Sequence, residues 1–212
     1  MEQETVVLVH GLWVHGIAMA LLRRRLERGG YRVFAYSYPT TRLTFAENVA
    51  RLARYCREVG ALRSHFIGHS LGGLIVLRMV EETADVVAGR VILAGTPVAG
   101  SHAARRLAQL PGGRALLGRS MMEWTEPGKR IDAHGCEIGV IAGRMPVGAG
   151  RIVAPDLPAP HDGAVSVEET RFPAMKDHIV LNVSHSGMLV SRAVAQQVEA
   201  FLRDGAFDKA KA

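Results

Sequence analysis

Six short apolar runs punctuate the chain, each bounded by glycine, proline or a polar turn: "TVVLVHG" from Thr5, "YRVFAYSYP" from Tyr31, "SHFIGHS" from Ser64, "GRVILAGTP" from Gly89, "EIGVIAGR" from Glu137 and "HIVLNVSHS" from His178. Runs this short, with little polar alternation, predict strands buried on both faces. Helical periodicity fills several of the gaps. One helix is predicted from Ile17 to Arg28, a second from Thr44 to Val59 with Phe45, Val49, Leu52, Ala53 and Cys56 on its apolar face, a third from Leu71 to Glu82, and a last from Gly187 to Leu202. Strands alternating with helices predict an α/β fold: a mostly parallel twisted sheet with helices on both faces.

Two stretches break the alternation. Residues 101–130 can hold short helices and form a small lid-like insertion, whose Leu107, Leu110, Leu116, Leu117, Met121, Met122 and Trp124 either face a ligand or form ordinary helix cores. Residues 145–166 are loop-rich and carry four prolines. Both follow strands, and ligands of open α/β sheets bind beyond the carboxyl ends of strands, so these loops focus the search for function.

Composition adds limits. A chain of 212 residues suits one domain with a core large enough to need no disulfide or metal. Cys56 and Cys136 flank no CxxC and are expected as free thiols. The chain reaches its first strand without a charged, then apolar, leader, and no uncharged apolar run approaches membrane-spanning length, so a cytoplasmic protein without a transmembrane segment is expected. The net charge of +6 gathers partly in "LLRRRLERGGYR", where Arg23, Arg24, Arg25 and Arg28 read as the wet face of a helix whose Leu21, Leu22 and Leu26 turn inward. No aromatic-interleaved basic platform accompanies them, so nucleic acid is not an expected partner. Contact with an anionic membrane surface remains open. No HExxH occurs, and "DAHGC" around His134 and Cys136 has too few close ligands for a metal site.

The densest chemistry lies at Gly68-His69-Ser70-Leu71-Gly72-Gly73. Composition alone yields about 0.1 Gly-x-Ser-x-Gly matches in such a chain, so context decides. Here a strand precedes the motif and a helix follows. That is the setting of a nucleophile elbow, a strained strand-to-helix turn that presents the serine oxygen at a helix N-terminus. Gly68 and Gly72 are expected wherever a Cβ would strike the neighbouring chain. A serine nucleophile needs a base and an acid, which in such a fold follow it in the order Asp, then His. His185 emerges at the carboxyl end of the last strand, whereas His178 begins it at the opposite edge; His102, His134 and His161 lie in loops and stay open. Among acids, Asp162 stands in "PHDGAVS", where Asp-Gly marks a turn before a Val-x-Val alternation; Asp85, Asp132, Asp156 and Asp177 are the others, Asp177 sharing the wrong edge. The oxyanion hole draws one N–H from Leu71 and one from Leu12, after the first strand and beside Gly11. Trp13 either lines the substrate pocket or packs under the same loop.

The stretches "VVLVHGLW", "FIGHSLGG", "LAGTPVAGS", "HDGAVSV" and "VSHSGML" together resemble the α/β-hydrolase superfamily, in particular the branch of compact bacterial lipases and esterases, in family order over nearly the whole chain. The resemblance implies Ser70, Asp162 and His185 as a triad, Leu12 and Leu71 as oxyanion donors, no cofactor, and hydrolysis of carboxylic esters of small-molecule or lipid-like substrates through an acyl-enzyme. It also implies a structural role for Gly95-Thr96-Pro97. An acyltransferase, thioesterase or amidase could use the same residues. From other classes come a non-catalytic module on this fold, which would usually lack one of the three, and a binder of anionic surfaces. Acyl length, leaving group and oligomeric state are encoded in none of these motifs.

Overall fold

The computed structural model describes residues 3–125, 135–148 and 150–211. Asp132, His134 and the end of the 101–130 stretch lie outside the described residues. All six apolar runs form strands: β1 (Thr5–Val9), β2 (Arg32–Tyr36), β3 (Arg63–His69), β4 (Val87–Ala94), β5 (Glu137–Gly143) and β6 (Asp177–Leu181). They make one sheet in the order β2-β1-β3-β4-β5-β6, and every neighbouring pair is parallel. Because all six run the same way, every carboxyl end opens on one rim. Whatever follows β1, β3, β4, β5 and β6 therefore converges there.

Strand side chains alternate between two cores. Val7, Val9, Phe66, Val91, Leu93 and Val140 lie under α2 (Phe45–Glu58), α3 (Leu71–Glu82), α4 (His102–Gln109) and α5 (Gly113–Thr125), while Val6, Leu8, Ile67, Ile92 and Ile141 lie under α1 (Ala20–Arg28) and α7 (Arg192–Asp204). A short α6 spans Gly150–Val153. This is why the runs read as continuously apolar: both faces of each central strand are covered. Among the described residues no helix is long and apolar enough to cross a membrane. Cys56 and Cys136 are free, and burial pushes both thiols up to about 11.

Helix α2 begins where its sequence says it should. Thr44 accepts a hydrogen bond from the Glu47 N–H at 3.1 Å while the Glu47 carboxylate accepts from the Thr44 N–H at 2.7 Å, a reciprocal cap. Two expectations need correction. The last helix is broken: a 3₁₀ turn covers Ser186–Leu189 and α7 starts afresh, with Ser191 Oγ accepting from the Val194 N–H at 3.3 Å. The competing local cap wins over continuous periodicity. Leu21 is exposed rather than inward-facing, because only Leu22 and Leu26 of α1 lie on the buried stripe behind the 3₁₀ turn Gly16–Met19. In the Asp162 loop, Val165 and Val167 are buried, and an antiparallel bridge between His161 and Ser166 closes the turn.

The turn from β3 into α3 admits no side chain at two positions. A Cβ on Gly68 would stand 2.3 Å from the Gly73 Cα, and one on Gly72 would stand 2.3 Å from the Val9 carbonyl oxygen and 2.4 Å from that of His10. These obstacles are backbone, which has nowhere to retreat. Gly72→Ala is expected to lower unfolding free energy by about 3 kcal/mol or more, read as a lower midpoint in urea; an unchanged midpoint would show that the β1 end can back away.

Candidate active site

Ser70 is the first residue after β3. It sits at φ 53°, ψ −125°, one of two non-glycine residues with positive φ among those described, and its N–H is tied to the Ala94 carbonyl at 2.9 Å. It occupies the N-cap position of α3, yet its side chain makes no capping bond. A serine at this position normally adopts extended dihedrals and spends its oxygen on the first free N–H groups of the helix. Here the backbone is strained, at a cost of about 1–3 kcal/mol, and the hydroxyl is withheld from the helix.

On the same rim, the loop after β5 carries Asp162 and the segment after β6 carries His185. Their side chains meet: His185 Nδ1 donates to Asp162 Oδ2 at 2.7 Å. Asp162 is fully buried, and its other oxygen accepts from the N–H groups of Ala164 at 2.9 Å and Val165 at 2.8 Å. Burial by itself would raise this carboxyl. The charge and hydrogen bond of His185, joined by the two backbone donors, outweigh it and hold Asp162 below the ordinary carboxylate value. An ionised carboxylate only accepts, so Nδ1 is the nitrogen that carries a hydrogen, and in the neutral imidazole the lone pair is on Nε2. The His185 backbone is fixed as well, its N–H donating to the Asp162 carbonyl at 2.8 Å and its carbonyl accepting from His69 Nε2 at 2.9 Å. The pair stands at the end of β4: a Cβ on Gly95 would lie 3.0 Å from His185 Nδ1 and 3.1 Å from Asp162 Oδ2. Ala94, just before, pairs with His69, the residue preceding Ser70.

The alphabet of other candidates disperses. His178 bonds Thr170 Oγ1 at 3.0 Å, and burial first, then the nearby Arg171 charge, pushes it down to about 4. Asp177 serves Lys209 and the backbone N–H groups of Phe207 and His178. Asp156 forms a second His–Asp contact, with His102 Nε2 at 3.2 Å, but it is half-exposed and shared with Arg106. Asp85 is taken by Arg57, and His161 Nδ1 by the Gly163 N–H. Among the described residues, no group of three or more metal-ligating side chains is clustered tightly enough to hold an ion.

The chain matches the alpha/beta hydrolase family model over residues 6–200. It belongs to that family. Among solved structures, this α/β-hydrolase is similar to the mature form of lipase BlEst2 from Bacillus licheniformis (TM-score 0.77, 18% identity, covering 95% of this chain and 91% of that one). It is also similar to the metagenomic carboxyl esterase MGS0156 (TM-score 0.65, 21% identity, 86% and 64%) and to carboxylesterase CesB from Bacillus subtilis (TM-score 0.60, 13% identity, 95% and 84%). No curated protein matches the chain by sequence.

The remaining expected residues of this α/β-hydrolase lie around the elbow. Leu71 opens α3, so its N–H has no carbonyl partner within the helix. Leu12 follows Gly11 in the loop after β1, and that loop presses on the serine: a Cβ on Gly11 would lie 2.8 Å from the Ser70 Cβ. Trp13 does not pack under the loop. The residue is 56% exposed and its indole N–H reaches out to the Leu116 carbonyl of α5 at 2.8 Å, while its backbone N–H donates to Thr40 Oγ1 at 3.3 Å. Trp13 is the second non-glycine residue at positive φ, 58°. A bulky side chain held there is strained backbone directly after Leu12.

The 101–130 stretch divides. Leu107, Leu117, Met121 and Trp124 are buried in the sheet-facing core, with Trp124 donating to the Pro97 carbonyl at 3.0 Å and its ring 5.8 Å from that of Phe45. These four follow the helix-core reading, and Met122 packs against them, whereas Leu110 and Leu116 are exposed. A further residue at the site is His69, whose Nε2 bonds the His185 carbonyl. Its only signal in the sequence is that it stands beside Ser70.

Proposed function

We propose that this α/β-hydrolase is a serine hydrolase of carboxylic esters, with Ser70 as nucleophile, His185 as general base and acid, Asp162 as the group that orients and stabilises His185, and the N–H groups of Leu12 and Leu71 as oxyanion donors. The observation that carries the reading is the Asp162–His185 contact of 2.7 Å on the rim where a strained serine is kept from capping its own helix. The structurally similar lipase BlEst2 and the esterases MGS0156 and CesB support it.

In the proposed cycle, the free Nε2 lone pair of His185 takes the Ser70 proton as Oγ attacks the ester carbonyl. The tetrahedral oxyanion accepts from Leu12 and Leu71, supported by the positive end of α3. His185 then hands its proton to the leaving alcohol, and water repeats the sequence on the acyl-enzyme. Asp162, kept ionised by its donors, supports the imidazolium without taking its proton.

A lipid-like substrate and contact with an anionic surface extend the reading. Ile17 is 83% exposed and Leu21 lies four residues on, with Val190 exposed on the loop that Arg25 grips through the Val190 and Ser191 carbonyls. Arg24 and Arg28 are exposed along the same helix. Trp13 and Leu116, joined by their hydrogen bond, add apolar surface beside the oxyanion loop and are the proposed acyl wall. A series of p-nitrophenyl esters from acetate to palmitate, run with and without anionic phosphatidylglycerol vesicles, tests both parts. Hydrolysis of at least one chain length is expected, with long chains favoured when vesicles are present. Absence of turnover across the series, with the serine unlabelled by a fluorophosphonate, would sink the assignment.

A further inference from the structure

His69 ends β3 and is only 2% exposed. Its Nε2 lies 2.9 Å from the His185 carbonyl oxygen, and the two rings are 4.7 Å apart at 47°. A carbonyl only accepts, so Nε2 carries the hydrogen and Nδ1 is a bare lone pair. That Nδ1 is buried and has no partner among the described residues, an arrangement a side chain chosen for packing alone would avoid. Burial first, then the neighbouring His185, pushes His69 down to about 3, so it stays neutral and adds no second positive charge when His185 becomes an imidazolium.

The position of His185 explains what such a contact can do. His185 lies past the end of β6 and before the 3₁₀ turn, outside the sheet ladder. Its N–H and its ring both bond to Asp162, which is carried by the long loop after β5 and not by a strand. The bond from His69 is the contact that refers the base to the strand carrying the nucleophile, one residue from Ser70. We propose that His69 is a positioning residue: by holding the His185 carbonyl with Nε2–H, it fixes the distance between base and elbow. The proposal rests on the serine-hydrolase reading of Ser70 and His185.

Glutamine and methionine at this position separate positioning from packing. They have nearly the same length and volume, and only glutamine offers an N–H. The measurements are kcat and KM on p-nitrophenyl acetate, the rate of Ser70 labelling by a fluorophosphonate, and the melting temperature. For His69→Met, kcat and labelling rate are expected to fall roughly ten- to a hundredfold with KM nearly unchanged, since displacement of a reacting group by an ångström costs about that much. His69→Gln is expected to recover most of the loss. A folded methionine variant that works at the wild-type rate overturns the proposal, and so does a folded glutamine variant as slow as the methionine one. If methionine prevents folding, glutamine decides alone: a wild-type melting temperature with near wild-type kcat supports the role, and the same temperature with a large loss of kcat defeats it. Failure of wild-type protein to label at Ser70 is a different result. It removes the serine-hydrolase reading, and this proposal with it.

Discussion

Ser70→Ala is expected to abolish ester turnover, lowering kcat by a factor of roughly 10⁵ while leaving the far-ultraviolet spectrum and the melting temperature close to those of wild type. The hydroxyl is the group that would form the acyl bond, and neither His185 nor water can replace it at comparable rate. Its loss should cost the fold little, because the side chain caps nothing and the tie of Ser70 to the sheet is made by its backbone N–H to the Ala94 carbonyl. A companion substitution, Ser70→Gly, should be equally inactive but more stable by about 1 kcal/mol, since glycine accepts φ 53° without strain. The pair would show strain held at the reacting residue. Turnover by Ser70→Ala at even a tenth of the wild-type rate would mean that the nucleophile is elsewhere.

Asp162→Asn should lower kcat by roughly 10⁴ with KM much less affected. The asparagine oxygen can still accept from Ala164 and Val165, which leaves its NH₂ facing His185 Nδ1. Nδ1 must then accept, the proton moves to Nε2, and the lone pair needed to take the Ser70 proton is gone. The same residue makes a prediction about acid. The Asp162 pKa is lower in the folded protein than in the unfolded chain, so its contribution to stability is fully present above the unfolded value of about 3.9 and disappears as pH falls through the lower folded value. In that window the unfolded chain binds more protons, and stability rises with pH. The gap in unfolding free energy between wild type and Asp162→Asn should therefore be wide at pH 7 and narrow toward pH 3; a gap that does not narrow would show that the carboxylate is not held ionised by these partners.

Much of this arrangement is legible in the chain. The apolar runs mark all six strands, most continuously where the central ones are covered on both faces, and the helix from Leu71 to Glu82 has its predicted bounds, since the glycine-rich turn before it and its own apolar run are local signals. The placement of Ser70, Asp162 and His185 on one rim follows from the same reasoning: in a parallel sheet, segments just past strand ends share a rim whatever their distance in sequence. What failed was either a contest between local signals or a contact across the fold. Periodicity from Gly187 onward ran through a cap at Ser191 that starts the helix anew. Leu21 looked like its neighbours Leu22 and Leu26, and only the docking of α1 on the sheet decided which were covered.

The sequence by itself therefore determined the order of strands and helices along the chain, the glycine-lined turn that carries Ser70, and the places of Asp162 and His185 beyond strand ends, because these depend on backbone sterics and on hydrophobic period within short windows. Only the tertiary structure decided that Asp162 rather than Asp156 meets His185, that Trp13 reaches across to Leu116, that four side chains of α4 and α5 complete the core, and that His69 grips the His185 carbonyl. Each of these joins residues from different loops. Their distances are set by how the sheet stacks its strands and not by anything either partner carries in its own stretch of chain.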